Sequence, residues 1–190
     1  MAESYCTLDE VKASLDETEA TDDALIEQSI AAASRAIEET TNRLYYATTA
    51  TRYYRGSSLS GAVLFLDAEL LSVSTLTNAN GVPITSTYYI LLPRNQGPPY
   101  TAIELKSTKS WAFTSADAEI SVAGSWGNAA APPENVRQAC VFIARQLYLR
   151  RLAPFGALGG NDVVRGVHIA ENDPDIQLLL FGQSSWQGLY

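Results

Sequence analysis

A chain of 190 residues is long enough for one domain, or one domain with a sizeable insertion, and buries roughly 70% of its unfolded surface without covalent staples. Its 21 acidic against 13 basic residues leave a net charge of -8, which disfavours simple electrostatic affinity for nucleic acid or an anionic membrane over the molecule as a whole. Two cysteines and one histidine make neither a disulfide framework nor a Cys/His zinc site, so Cys6 and Cys140 are expected to be reduced thiols and no cofactor is expected.

The opening Met1-Ala2-Glu3-Ser4-Tyr5 has neither the basic nor the apolar region of an export signal. No run approaches the ~18 apolar residues that span a bilayer, so a soluble, unexported chain with no membrane partner is expected. Thr7-Leu8-Asp9-Glu10 matches a capping box and predicts a short first helix with Leu8, Val11 and Leu15 buried. Thr21-Asp22-Asp23 is a second N-terminal signal, the hydroxyl capping and the carboxylates favouring the positive end of the dipole. The long helix that follows carries Ile26, Ile30, Ala33, Ile37 and Leu44 on one face. Its alanines at 31, 32, 33 and 36 admit a close helix neighbour, while Glu27, Arg35, Glu38 and Glu39 lie off the stripe.

From Thr48 the period changes to two. Thr51–Arg55, Val63–Leu66, Leu70–Thr77, Thr87–Leu92, Thr101–Lys106 and Glu119–Ala123 read as about six short strands, with Asn80-Gly81 as the strongest hairpin signal. Gly124-Ser125-Trp126-Gly127 reads as a turn in which both glycines supply positive φ. Pro132-Pro133 then opens a helix at Pro133 or Glu134 that reads as apolar nearly all round, with Val136, Cys140, Ile143 and Leu147 at 4-3-4 spacing. Arg150 and Arg151 end it, and Pro154-Phe155-Gly156 stops it. A glycine-rich mobile loop follows from Gly156 to Gly166, with a short strand over Val163–Ile169. Asp173-Pro174 caps a last apolar segment, and Trp186, Leu189 and Tyr190 carry apolar surface to the terminus.

The fold class is therefore α+β, a helical core with an inserted antiparallel β module and a loosely structured tail. Its parts are 1–47 (N-terminal helices), 48–123 (β module), 124–153 (core helix) and 154–190 (loop and tail).

Catalytic signatures are missing. Gly56-Ser57-Ser58-Leu59-Ser60-Gly61 lacks the spacing of a nucleophile elbow and reads as a loop, and the glycines from 156 to 166 fit neither a P-loop nor a dinucleotide fingerprint. His168 is the only imidazole and reads as structural. The pairs Asp67/Glu69 and Asp173/Asp175 are more simply loop or cap residues than glycosidase carboxylates, and Asn172 to Asp175 lacks EF-hand spacing. One competing class rests on aromatics: Tyr45, Tyr46, Tyr53, Tyr54, Tyr88, Tyr89, Tyr100 and Trp111, with Arg52, Arg55 and Arg94, give a carbohydrate-binding or hydrolytic module a stacking platform. Against it, Tyr-Tyr steps in a strand put one ring on each face.

Three stretches together resemble the head-to-tail connector (adaptor, head completion) proteins of tailed bacteriophages. They are the capped helix Thr7 to Leu15 followed by the helix running from Asp22 through Asn42-Arg43-Leu44-Tyr45, the β insertion with Asn80-Gly81 and Tyr88-Tyr89-Ile90-Leu91, and Val122-Ala123-Gly124-Ser125-Trp126-Gly127 leading through Pro132-Pro133-Glu134-Asn135-Val136 into Ala139 to Arg151. The resemblance covers about residues 5 to 152. It implies a structural virion protein and no enzyme: a homo-oligomeric ring, commonly twelvefold, under the portal protein, joined to a downstream neck or tail protein, with genomic DNA passing without specific binding. Its place is the virion neck, after assembly in the host cytoplasm; a stopper or tail-completion protein is the neighbouring alternative. Ala32, Ala36, Phe142, Tyr148 and Arg150 are the expected subunit-contact residues. Ile176, Leu179, Leu180, Phe181, Trp186, Leu189 and Tyr190 are the expected portal-docking tail.

Overall fold

The computed structural model describes residues 3–115, 117–150 and 173–182. It is α+β, and the chain divides into two compact units, one helical (residues 3–43 with the described residues from 132 onward) and one built on a sheet (residues 44–131). The glycine-rich loop, the strand expected at Val163–Ile169, His168, Trp186, Leu189 and Tyr190 all lie outside the described residues.

In the helical unit, helix α1 (Leu8–Leu15) starts on the expected capping box: Thr7 Oγ1 accepts from the Glu10 amide at 3.3 Å, and the Thr7 amide donates to Glu10 Oε2 at 2.7 Å. Helix α2 (Asp23–Thr41) buries Ile26, Ile30, Ala33, Ser34 and Ile37. Its N-cap is Asp22 rather than Thr21. No side chain caps it, because the Asp22 carboxylate accepts instead from the Tyr148 hydroxyl at 2.7 Å. The helix stops at Asn42, whose left-handed φ of 52° breaks the run, so Leu44 and Tyr45 belong to the sheet unit instead of extending the stripe.

In the sheet unit the strands are β1 (Thr48–Tyr54), β2 (Leu59–Ser60), β3 (Val63–Thr77), β4 (Pro83–Ile84), β5 (Tyr89–Leu92), β6 (Tyr100–Leu105) and β7 (Ile120–Trp126). All pair antiparallel in the order β1-β7-β3-β6-β5, with β2 and β4 as short hairpin partners of β3. Two expected strands are in fact one: β3 runs unbroken through Asp67-Ala68-Glu69 for 15 residues. Register shifts between Phe65 and Leu70, and again on either side of Ser72–Val73, bend it, so that its first part pairs with β6 and its second with β7. The segment expected as a loop at Gly56–Gly61 forms a single 3-10 turn followed by β2. Asn80-Gly81 does close the β3–β4 hairpin, with Gly81 at φ 79°.

Strand β7 alternates without fault, burying Ile120, Val122, Gly124 and Trp126. It therefore takes in three of the four residues expected in a turn. Gly127 alone has the positive φ (144°), whereas Gly124 is required for a different reason: a Cβ there would lie 2.2 Å from the Ser72 carbonyl oxygen, at the point where β3 bulges. The Trp126 indole donates to the Ala50 carbonyl at 2.9 Å and joins Tyr54, Leu64, Leu70, Leu76, Ile103, Leu105, Ile120 and Val122 in the core. Buried Asn78 is fully partnered: its amide nitrogen donates to Ser110 O, and its oxygen accepts from the Ala79 and Ala112 amides.

Helix α3 (Glu134–Arg150) begins at the expected residue and packs against α1, α2 and the final helix α4 (Pro174–Phe181). It is not apolar all round. Val136, Ala139, Cys140, Ile143, Ala144 and Tyr148 are buried, but Gln138, Arg145, Leu149 and Arg150 are exposed, because its own unit covers only part of the circumference. Helix α4 corrects the loosely structured tail. Asp173 caps it, accepting from the Asp175 amide at 3.0 Å, Pro174 occupies its first turn, and Ile176 is 0% exposed.

Gly124→Ala forces the Ser72 backbone to move and is expected to cost about 2–3 kcal/mol, while Gly81→Ala, in open space but at positive φ, costs about 1–2 kcal/mol. Urea unfolding of the two variants checks the order.

Candidate interaction surfaces

A site for a structural protein is a surface, and the exposed apolar side chains mark where the described surface is unusual. Leu25 on α2, Leu149 on α3 and Leu178 on α4 stand out in the helical unit, Leu178 most of all at 70% exposed. Tyr53, Phe65, Val82, Tyr88 and Phe113 do so in the sheet unit.

Helix α4 is held against α3 at both ends. Gln146 Nε2 donates to Asp173 Oδ2 at 3.0 Å, and Asn135 Nδ2 donates to the Leu179 carbonyl at 2.7 Å, so α4 runs back along α3. Between them lies a cleft lined by Phe142, Arg145, Gln146, Leu149, Asp173 and Asp175. Of the expected docking residues, Ile176 is therefore the anchor of α4. Leu179, Leu180 and Phe181 are half-buried, and the outward apolar residue is Leu178. The four consecutive apolar residues Leu178-Leu179-Leu180-Phe181 carry no phase in sequence from which the outward one could be chosen.

The expected subunit-contact residues divide in the same way. Ala32 and Arg150 are exposed, and Ala36 and Phe142 are half-buried. Tyr148 is 4% exposed, its hydroxyl bonded to Asp22, so its ring packs its own unit and Leu149 beside it is the exposed residue. Arg35 and Glu38, expected off the stripe, pair with each other, and Glu38 also accepts from the Tyr5 hydroxyl at 2.9 Å.

The aromatic platform does not assemble. Tyr54 is buried and Tyr53 is 64% exposed, one ring on each face of β1. The other exposed tyrosine, Tyr88, precedes β5 at the opposite edge of the sheet, with three strands between it and β1 and with the Lys109 ammonium 4.6 Å from its ring centre. Arg52 lies over the Trp126 ring at 4.8 Å and reaches Asp67 at 3.1 Å; Tyr54 donates to the same carboxylate at 2.6 Å. These contacts tie edge strand β1 to β3 and β7. The carboxylate pairs also have structural roles: Asp67 accepts from Tyr54, Glu69 accepts from Asn128 at 3.1 Å, and Asp173 caps α4. Among the described residues, no cluster of three or more His, Cys, Asp or Glu is placed to hold a metal ion, and no helix is long and apolar enough to cross a membrane.

Two carboxylates carry pH dependence. The Thr7 backbone N–H lowers Glu10 most, burial opposes it, and Arg137 and the Thr7 hydroxyl add to the lowering. Burial acts to raise Asp67, but the Tyr54 hydroxyl and Arg52 outweigh it and the carboxyl is held below its usual range. The Tyr54 phenol is pushed up, first by burial and then by Asp67.

No family model and no curated protein matches the chain. Solved structures do match. A chain from the neck of an empty gene transfer agent particle, computed with C6 symmetry, superposes with a TM-score of 0.58 at 17% identity, covering 93% of this chain and 87% of the other. A chain from the virion of a native gene transfer agent particle gives 0.53 at 19% identity, covering 83% and 84%. The likeness is one of fold. It extends over more than four fifths of both chains in each case.

Because the folded value of Glu10 lies below its usual 4.5, its stabilisation is fully present above that value and is lost as pH falls through it toward the folded value. Glu10→Gln keeps an acceptor for the Thr7 amide but removes the charge opposite Arg137. Its denaturation midpoint is expected to lie below the parent's at about pH 6 and to draw toward it as pH falls below the usual 4.5. A constant gap across that range in urea titrations contradicts the assignment.

Proposed function

We propose that this chain is a structural protein of the neck of a phage-like particle, a head-to-tail connector (adaptor) whose copies close into a ring beneath the portal and join the DNA-filled head to the next neck or tail protein. The observation that carries the reading is a fold held in common, over 93% of the chain, with a protein from the neck of a gene transfer agent particle. That neck was computed with C6 symmetry, which is compatible with six copies and with the twelve that the resemblance implies.

A ring needs two different faces on each subunit that meet by rotation. Exposed Ala32 and half-buried Ala36 on α2 offer a flat, close-approach face; Phe142, Leu149 and Arg150 on α3 offer an apolar and basic one. The apolar C-terminal end is the portal-docking element in this reading. Ile176 fixes α4 to its unit, while Leu178, with Leu179, Leu180 and Phe181 and onward to Trp186, Leu189 and Tyr190, meets the portal. The net charge of -8 suits a conduit, because carboxylates facing a lumen repel phosphates and let DNA slide. Within the same neck, a stopper or tail-completion position differs in which partner is bound.

The test is the mass of the full chain in solution, by light scattering or native mass spectrometry, with and without a purified portal ring. A closed oligomer, or a monomer recruited to the portal in matching stoichiometry, is expected. Truncation after Gly182, and Leu178→Asp, should each weaken portal attachment at least about tenfold, and Leu178→Asp should leave melting unchanged because Leu178 is 70% exposed. Ile176→Ala should instead destabilise the fold by about 2–4 kcal/mol. A wild-type monomer indifferent to the portal overturns the proposal.

A further inference from the structure

Two buried thiols meet in the helical unit. Cys6 sits just before the α1 cap and Cys140 in the middle of α3, 134 positions apart in sequence, yet their sulfurs are 2.9 Å apart. Both are buried, at 5% and 0% exposed. The segment carrying Cys6 is held in place independently of the sulfurs: the Tyr5 amide donates to Ser34 Oγ at 3.1 Å and the Tyr5 hydroxyl to Glu38. One turn away on each helix, Glu10 of α1 pairs with Arg137 of α3. Thus the two sulfurs are aligned by contacts on both sides of them.

We infer that Cys6 and Cys140 are a redox pair, closing an intrachain disulfide that fastens the N-terminal segment to α3 when the protein meets a peroxide-class oxidant. The chemistry balances without any other group. One thiol attacks hydrogen peroxide, the O–O bond breaks, and a sulfenic acid and one water form; the second thiol then attacks that sulfur, displacing the hydroxyl as a second water. Two thiols and one peroxide give one disulfide and two waters, with two electrons passing from sulfur to oxygen.

The pair is asymmetric in a way that fits such a sequence. The Cys6 S–H donates to Cys140, and this bond, with burial, pushes the Cys6 thiol up, while the same bond lowers Cys140 against the opposing effect of burial. The linkage closes a loop that contains α1, α2 and the whole sheet unit, a long constraint on the unfolded chain and therefore a stabilising one.

The experiment uses the full chain, reduced and desalted, then treated with hydrogen peroxide. Intact mass should fall by two hydrogen atoms, free-thiol titration should fall from two per chain to none, and peptide mapping should find Cys6 joined to Cys140. Melting temperature should rise by about 5–10 °C and return on adding dithiothreitol. Cys6→Ser and Cys140→Ala should each abolish the shift, and Cys6→Ala serves if the serine variant is unstable. Thiols that persist, that pass to sulfinic acid without linkage, or that join two chains instead of one overturn the inference. This outcome is independent of the portal experiment, since the linkage lies within one helical unit.

Discussion

The helical unit depends on how closely α3 is approached by its neighbours. Ala139, Cys140 and Ala144 on α3, with Ala33 and Ser34 on α2, are all small and all buried. Small side chains at these positions let helix backbones approach closely and place many atoms at contact distance. Ser34 shows how polar groups are accommodated there: its hydroxyl donates to the Ile30 carbonyl at 2.9 Å and accepts the Tyr5 amide, so both groups are satisfied and the N-terminal segment is fastened at the same time. With α2 and α1 covering one part of α3 and α4 another, the strip of Gln138, Arg145 and Leu149 remains open.

The sheet unit obeys a comparable constraint, set by one long strand. Because β3 is bent by its register shifts, a single strand pairs with β6 along its first part and with β7 along its second, and the sheet wraps around Leu64, Leu70, Leu76, Ile103 and Trp126. Gly124 is where that bend presses against β7. The edge strand β1 is guarded chemically instead: Arg52, stacked on Trp126 and paired with Asp67, puts a charge on the edge and discourages uncontrolled pairing with another sheet.

Much of this was legible in the residues. The Thr7–Glu10 box, the Asn80-Gly81 hairpin, the Glu134 start and the Asp173-Pro174 cap are local signals, and local signals survive folding because the groups that satisfy them are within a few residues. What was misread depends on partners distant in the chain. Asp67 and Glu69 read as a break between strands because their partners, Tyr54, Arg52 and Asn128, are not neighbours in sequence. Gly124 read as a turn because nothing local reveals the Ser72 carbonyl opposite it. Tyr148 read as a contact residue because its Asp22 partner lies on α2's cap. Of the surfaces, the apolar character of 176–181 was visible, but its phase was set by α3: Ile176 turns in and Leu178 turns out.

The proposed neck role starts from a fold held in common with a chain of a gene transfer agent neck, and a neck protein is defined by what it joins. The most direct measurement is electron microscopy of particles produced with the gene for this chain deleted and then restored. The account predicts DNA-filled heads and separate tails accumulating on deletion, with joined particles recovered on restoration. Joined, infectious particles at normal yield without this chain would contradict it.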